Sequence, residues 1–222
     1  MADTVLRRGR RRSVERLAAA ATGYAAMGWP VCAGAHPPGR PQRGAGGGRA
    51  CSCDRVGCPA PGAHPMSPAW QVEASTDPAT VWSWWLARPD AGIILVTGRV
   101  FDVLDVPAAV GTSALRLMAA AGVRPGPVAL SAGDRALFFV RTRGAPADEH
   151  EWWSCHLDSE PETVTQVSGL RWHCRDSYVL APPSRYRPAS TAHWLRAPAD
   201  HPLPDGLRLL EYLGDACEEA AR

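Results

Sequence analysis

Three cysteines and one histidine fall within a span of fourteen residues, in a Gly/Pro-rich segment that has few apolar residues to form a core. They are Cys51, Cys53, Cys58 and His64, and prolines and glycines lie among them. Zn²⁺ binds four such side chains tetrahedrally, and three thiolates with one imidazole form one of its usual structural sets. The bound ion would supply folding free energy that this segment, without an apolar core, lacks. The spacing therefore predicts a structural zinc site.

Two other interpretations of these cysteines stay open at this point. A reduced thiol loop without metal has the same spacing, and a disulfide pair would need an oxidising compartment. Cys32 and His36 lie upstream, and either of them is a candidate to replace one of the four zinc ligands.

Length and charge narrow the class of protein. The 222 residues are enough for one domain with its own core. No stretch of about 18 apolar residues is present to span a membrane, and the N-terminus lacks the order of a secretory signal. We therefore expect a cytoplasmic protein, in which cysteines favour metal over disulfides. The net charge of +2 is too small to predict a polyanionic partner by itself.

Charge and Gly/Pro content divide the chain into three parts. Arginines between residues 7 and 12 predict a basic tail over 1–12, either solvated and mobile or in nonspecific contact with phosphates. Residues 13–200 are expected to form the main domain, with the Gly/Pro-rich zinc insertion at about 34–68. Residues 201–222 carry an amphipathic helix that is expected to pack on that domain.

Apolar periodicity and helix breakers predict an α+β fold. A helix is expected between Ser13 and Gly28, and Asp77 and Asp205 are predicted N-caps of two later helices. Another helix is expected over 112–121. Short apolar segments predict strands at 93–96, 100–106, 128–131, 135–142, 163–167, 170–174 and 177–181. Together these elements predict a mostly antiparallel sheet flanked by helices.

Tryptophans lie on the helix that Asp77 opens and again beside a polar loop. Aromatic residues at helical spacing, such as Trp82, Trp84 and Trp85, are more often core residues than platforms for base stacking. Trp152 and Trp153 follow the polar loop, where one of them is expected to stay partly exposed. His173 beside Cys174 fits no standard metal spacing, so buried strand residues are the favoured interpretation there.

Several segments occur in an order typical of one enzyme family. They are Gly28-Trp29-Pro30-Val31, the segment from Cys51 to Pro65, the helix with three tryptophans, Pro89 to Ile93, Thr97-Gly98, Val103-Leu104-Asp105-Val106, and Tyr178-Val179-Leu180-Ala181-Pro182-Pro183-Ser184. Over residues 14–190 the chain resembles the bifunctional DNA primase/polymerase N-terminal domain of the archaeo-eukaryotic primase superfamily.

The resemblance implies a primase-polymerase fold, in which a small α/β subdomain joins an RNA-recognition-motif-like sheet that holds the active site. It implies template-directed nucleotidyl transfer from nucleoside triphosphates, with two Mg²⁺ or Mn²⁺ ions held by carboxylates. The implied partner is DNA, as a single strand or as a template with its primer. Family members often carry a fused helicase, so we expect a separate helicase or replication protein to serve this chain.

The chain departs from the family at the expected metal ligands. The family's first motif is Asp-x-Asp on a strand, where both carboxylates point to one face and share the ions. Here Asp105 stands at the first position and Pro107 at the second. Asp102 lies three residues from Asp105, on the opposite face unless a bulge intervenes. We predict Asp105 as the residual metal ligand and Asp102 as a weaker candidate.

Two further motif positions also differ from the family. The family's triphosphate-binding histidine matches Ala136, although the neighbouring Arg135 is a candidate to bind a phosphate. The family's third acid matches Arg171, and Ser184 is a candidate either to shape a turn or to contact a phosphate. Loss of most of a cooperative catalytic set removes most of its rate advantage. The sequence therefore predicts a family member in replication or mobile-element biology with impaired or lost nucleotidyl transfer. The alternatives are an active primase-polymerase and a zinc-stabilised protein-interaction module.

Overall fold

The computed structural model describes residues 15–38, 51–53, 55–142 and 169–222. The predicted basic tail, the N-cap at Ser13, the strand at 163–167 and the pair Trp152 and Trp153 lie outside the described residues. The chain forms two compact units. The first unit comprises Met1–Val96 and Leu180–Ala192, and the second unit comprises Thr97–Val179 and His193–Arg222.

The elements follow one another in a mixed order. The first half contains helix α1 over residues 15–26, β1 (Val31–Gly34), α2 (Trp70–Glu73), α3 (Pro78–Ala87), β2 (Gly92–Val96), β3 (Phe101–Pro107) and α4 (Ala108–Ala120). The second half contains β4 (Val128–Ser131), β5 (Arg135–Arg141), β6 (Arg171–His173), β7 (Tyr178–Ala181), β8 (Arg185–Arg187), β9 (Ser190–Thr191), β10 (His193–Arg196), a 3-10 turn (Pro198–Asp200) and α5 (Gly206–Ala220). The predicted α+β class, with antiparallel pairing and flanking helices, is confirmed.

The first unit is built on a three-stranded sheet of order β1-β2-β7. The outer edge of β1 is covered by chain from the segment with the cysteines, since the N–H of Ala35 donates to the carbonyl of His64 at 2.8 Å and that of Met66 donates to Ala33 at 3.0 Å. Ser75 exchanges two backbone hydrogen bonds of 2.9 Å with Val31 further along the same edge. The β1 edge of this sheet is therefore protected from pairing with another chain.

Helix α3 begins as the sequence predicts. The Asp77 carboxylate accepts a hydrogen bond from the N–H of Thr80 at 2.8 Å, and Pro78 occupies the first helical position. Val81 and Trp85 face the core of the first unit, and Nε1 of Trp85 donates to the carbonyl of Ala91 at 3.1 Å. The core interpretation therefore holds for Trp85 but not for its exposed neighbour Trp82, which is 42% exposed.

The second unit is a five-stranded sheet of order β10-β4-β5-β3-β6, with α4 and α5 packed on one side. The hydrophobic core on the helix side contains Leu104 and Val106 from β3, Phe138 from β5, and Met118 and Leu213 from the two helices. Side chains alternate across a strand, so Val103 and Asp105 belong to the other side of the sheet. We call that side the Asp105 face.

Two local boundaries differ from the sequence prediction. Helix α4 starts at Ala108 rather than at residue 112, directly after Pro107, and the N–H of Ala108 donates to the carbonyl of Asp134 at 2.8 Å. Strands β8 to β10 were not predicted, because segments of two to four residues are too short to show a periodic apolar pattern. None of the helices within the described residues combines the length and the apolar content needed to cross a membrane.

Candidate functional site

The structure brings the four predicted metal ligands together. The ligand atoms of Cys51, Cys53, Cys58 and His64 all lie within 4.8 Å of one another, and Sγ of Cys51 is 3.4 Å from Nε2 of His64. On the other side of the imidazole ring, Nδ1 of His64 is 2.7 Å from the carbonyl oxygen of Pro65. A carbonyl only accepts, so Nδ1 carries the proton and Nε2 presents its lone pair to the sulfurs. This donor set and orientation suit a metal ion such as zinc.

Neither upstream substitute joins the cluster. Cys32 is buried in β1, where burial and then the nearby Glu73 charge raise the pKa of its thiol to about 12. Nδ1 of His36 lies 3.1 Å from the carbonyl of Pro37, and the backbone of His36 is hydrogen-bonded to Ser52. His36 thus fastens the segment to the end of β1 through its backbone.

The thiols of the cluster differ in how easily they ionise. A hydrogen bond from the backbone N–H of Arg55 is the main cause that lowers the pKa of Cys53 to about 7. Burial is the main cause that raises the pKa of Cys58. The N–H of Gly62 donates to Sγ of Cys51 at 3.3 Å. Since a metal binds the thiolate, Cys53 is better prepared than Cys58 to receive the ion near neutral pH.

The second site lies on the Asp105 face, where three strands bring basic side chains to a single carboxylate. Nε of Arg135 donates to Oδ1 of Asp105 at 2.6 Å, and Nε2 of His173 is 3.1 Å from Oδ2. An ionised carboxylate only accepts, so Nε2 is the donor in the second contact. The Asp105 side chain is only 6% exposed. Both of its oxygens are therefore occupied by basic groups in a mostly buried position.

Strand register explains this arrangement. Asp105 pairs directly with Arg171 of β6, and Val103 pairs with His173, so all four side chains share one face. Arg135 pairs with Pro107 at the start of β5 and reaches back along the sheet to Asp105. A second Arg135 nitrogen donates to the backbone carbonyls of Asp105 at 3.0 Å and Gly169 at 2.6 Å. The guanidinium thus holds both the side chain and the backbone around Asp105.

The remaining predicted residues lie elsewhere. Register between β3 and β5 runs without a break from Phe101 to Pro107, so no bulge turns Asp102 toward Asp105. Ala136 faces α4, where a Cβ added at Gly111 would come within 2.5 Å of it. Ser184 is fully buried in the first unit, and its Oγ accepts a hydrogen bond from the N–H of Ile93 at 2.7 Å. A phosphate contact by Ser184 stays a prediction.

No second group of ligands surrounds Asp105 within the part of the chain that the structure describes. There, the cysteine–histidine cluster is the only set of three or more His, Cys or acidic side chains close enough to share an ion. Asp134, in the turn between β4 and β5, does not belong to that set.

His173 has a role that the sequence did not predict. It was interpreted as a buried strand residue, whereas the structure makes it a half-buried partner of Asp105 whose Nδ1 lies 3.0 Å from Oγ of Ser177. Its position two residues after Arg171 on the same strand was the available signal. That signal is informative only once the pairing of Arg171 with Asp105 is known.

Comparison with known proteins agrees with the order of motifs. The sequence model of the family described as "Bifunctional DNA primase/polymerase, N-terminal" matches residues 21–205. No curated protein matches the chain. The match covers both the cysteine–histidine cluster and the strands around Asp105. The chain therefore belongs to the bifunctional DNA primase/polymerase N-terminal domain family.

Proposed function

We propose that this chain is a nucleic-acid-binding domain of the DNA primase/polymerase family in which nucleotidyl transfer is impaired or lost. The observation that carries the proposal is the occupation of both carboxylate oxygens of Asp105, by Arg135 and by His173. A two-metal mechanism needs such oxygens to hold the ions. An ion at Asp105 would have to displace both basic groups.

The neighbouring positions support the same conclusion. Pro107 lies two residues from Asp105 on the same strand, and Arg171 lies directly opposite Asp105 on β6. Neither side chain is a metal ligand, and the guanidinium of Arg171 repels a cation. Mg²⁺ gives up its waters reluctantly and binds well only with several anionic neighbours. A single carboxylate with arginines around it is a poor site for Mg²⁺ or Mn²⁺.

Charge on the Asp105 face supports binding to phosphates. Among the described residues of β3, β5 and β6 on that face, the basic side chains are Arg135, Arg141, Arg171 and His173, and Asp105 is the only acid. Arg141 and Arg171 are exposed. Arginine pairs with phosphate through a planar fork of N–H donors. Family membership supports a role in replication or mobile-element biology, with a separate helicase or replication protein as the partner. We also assign zinc as the ion of the cysteine–histidine cluster.

Activity assays test the catalytic part of this proposal. Primer extension and de novo primer synthesis would be measured with the full chain, nucleoside triphosphates and either Mg²⁺ or Mn²⁺, beside the variant Asp105→Asn. We expect no product above background from either protein. Robust synthesis that Asp105→Asn abolishes would establish the active-polymerase alternative instead.

Metal binding gives a readout that does not depend on substrates. Titration of Mn²⁺ followed by electron paramagnetic resonance reports ions bound anywhere on the chain, including ligands from residues 143–168. We expect no Mn²⁺ bound with submillimolar affinity. Two tightly bound Mn²⁺ ions that are lost in Asp105→Asn would overturn the proposal of lost catalysis.

DNA binding separates the proposal from a protein-interaction module. The affinity for single-stranded DNA would be measured at several salt concentrations by fluorescence anisotropy. We expect Arg171→Ala to weaken binding and to make the slope of log affinity against log salt shallower by about 0.7. Arg116→Ala, on the exposed side of α4, is the matched control and should change neither value. A wild-type slope near zero would favour the interaction module.

A further inference from the structure

The first unit contains a cavity that is lined by none of the residues of the Asp105 face. It has a volume of about 370 Å³, in the range of small-molecule sites. Strand β1, the segment after His64, and helices α2 and α3 enclose it. Its lining includes Trp70, Glu73, Trp84 and Arg88.

Two tryptophans from different helices form the aromatic part of the lining. Trp70 comes from α2 and Trp84 from α3, and both are half-buried. Trp82, on the same helix as Trp84, is exposed but does not line the cavity. Indole rings offer flat faces on which any nucleobase can stack. The two indole side chains in the lining therefore favour a flat aromatic ligand.

Two charged side chains complete the lining. Glu73 and Arg88 are both exposed at the cavity, and neither side chain has a hydrogen-bond or ion-pair partner among the residues that the structure describes. A guanidinium binds phosphate, and a carboxylate accepts hydrogen bonds from the N–H groups of a base. A nucleotide carries a flat ring, N–H donors and a phosphate, and so matches all three features.

We propose that this cavity binds a nucleotide, with the base against Trp70 and Trp84, the base edge at Glu73 and the phosphate at Arg88. The ligand is either a free mononucleotide or an unstacked nucleotide of a single strand. Guanine is preferred, because its ring N–H and its amino group lie side by side and both donate to one carboxylate. In its single-strand form the inference rests on the proposed nucleic-acid-binding function.

The experiment uses the full chain with two kinds of probe. Saturation-transfer NMR measures binding of GMP, AMP and UMP, and fluorescence anisotropy measures binding of a single-stranded oligonucleotide with one central guanine. The variants are Trp84→Leu and Glu73→Gln, with Trp82→Leu as the matched control on the same helix. Circular dichroism and thermal melting confirm that each variant is folded.

The expected result distinguishes the tryptophans. Trp84→Leu should weaken binding of GMP about tenfold, while Trp82→Leu leaves it unchanged. Glu73→Gln should bring the affinities for GMP and AMP close together. Loss of oligonucleotide affinity in Trp84→Leu identifies the single strand as a ligand, and loss with GMP alone identifies the free nucleotide.

Two outcomes would overturn the inference, and binding of the oligonucleotide shows whether the proposed function fails with it. If the wild type binds the oligonucleotide, and Trp84→Leu binds each probe with the same affinity as the wild type, the cavity is not the binding site and the proposed function stands. If no mononucleotide binds and the oligonucleotide does not bind either, both fail. Binding of GMP that depends on Trp84, without any binding of DNA, would uphold the cavity and reject nucleic-acid binding.

Discussion

Nε of Arg135 lies 2.6 Å from Oδ1 of Asp105, on neighbouring strands of one sheet. From the family resemblance this aspartate is predicted as a residual metal ligand, and in the structure it is half of an ion pair. The same guanidinium also holds two backbone carbonyls, so the arginine stabilises the local structure as well as neutralising the charge. Asp105 therefore has a structural role that is independent of catalysis.

Replacing Asp105 is expected to lower the stability of the protein. Asp105→Asn keeps the shape but removes the negative charge between Arg135 and His173, which are 16% and 17% exposed. A largely buried cation without its partner is costly, and partial exposure reduces the loss in the free energy of unfolding to about 2 kcal/mol. Urea denaturation measures this loss in the free energy of unfolding.

The control is Asp134→Asn, at a turn position with φ of 56° that asparagine tolerates. This variant should change the free energy of unfolding by about 0.5 kcal/mol or less. Equal losses in both variants would contradict the structural role.

The turn at Gly98 is expected to admit no side chain. Gly98 has a φ of 78°, and a Cβ there would overlap the backbone N and Cα of Arg175. Gly98→Ala should therefore lower the free energy of unfolding by about 3 kcal/mol or more. Gly122 has a φ of 66° but faces open space, so Gly122→Ala should cost only about 1 kcal/mol. Thermal and urea unfolding of the two variants, measured side by side, test this contrast. Similar losses would show that the approach of Arg175 is unimportant.

The ionisation of Cys53 predicts a pH-dependent reaction of the metal-free protein. Its pKa is lowered to about 7, so the thiolate is abundant above that pH and is lost below it. Alkylation by iodoacetamide should therefore become faster as pH rises through 7, while Cys32, with a pKa of about 12, stays unmodified. Peptide mass spectrometry after timed alkylation measures both residues. Addition of zinc should protect Cys53, and modification of Cys32 at the same rate would contradict the assignment.

The zinc content of cysteine variants tests the ligand set. We expect about one zinc ion per wild-type chain, as for a closed structural site. Cys58→Ala should lose most of the ion, whereas Cys32→Ala should retain it because Cys32 lies outside the cluster. Elemental analysis of the purified proteins gives the ratio. A zinc-free Cys32→Ala variant would bring Cys32 back as a ligand.

Local features were predictable because their partners lie close in the chain. The N-caps at Asp77 and Asp205 form the expected hydrogen bonds within three residues. The hairpin of β4 and β5 and the cysteine–histidine cluster also form as the spacing predicts. The three tryptophans of α3, in contrast, all have the same prediction as core residues, although Trp85 is buried and Trp82 is exposed. Which side of a helix meets the core depends on what packs against it.

The sequence by itself determined the α+β class and the four candidate metal ligands of the cysteine–histidine cluster. Only the tertiary structure decided that His173 reaches Asp105, 68 residues away in the chain, and that no bulge turns Asp102 toward the face of Asp105. It also created the cavity between β1, α2 and α3. The physical reason is that strand register and helix packing depend on contacts between distant segments, and a shift of one residue would turn every side chain of a strand to the other face.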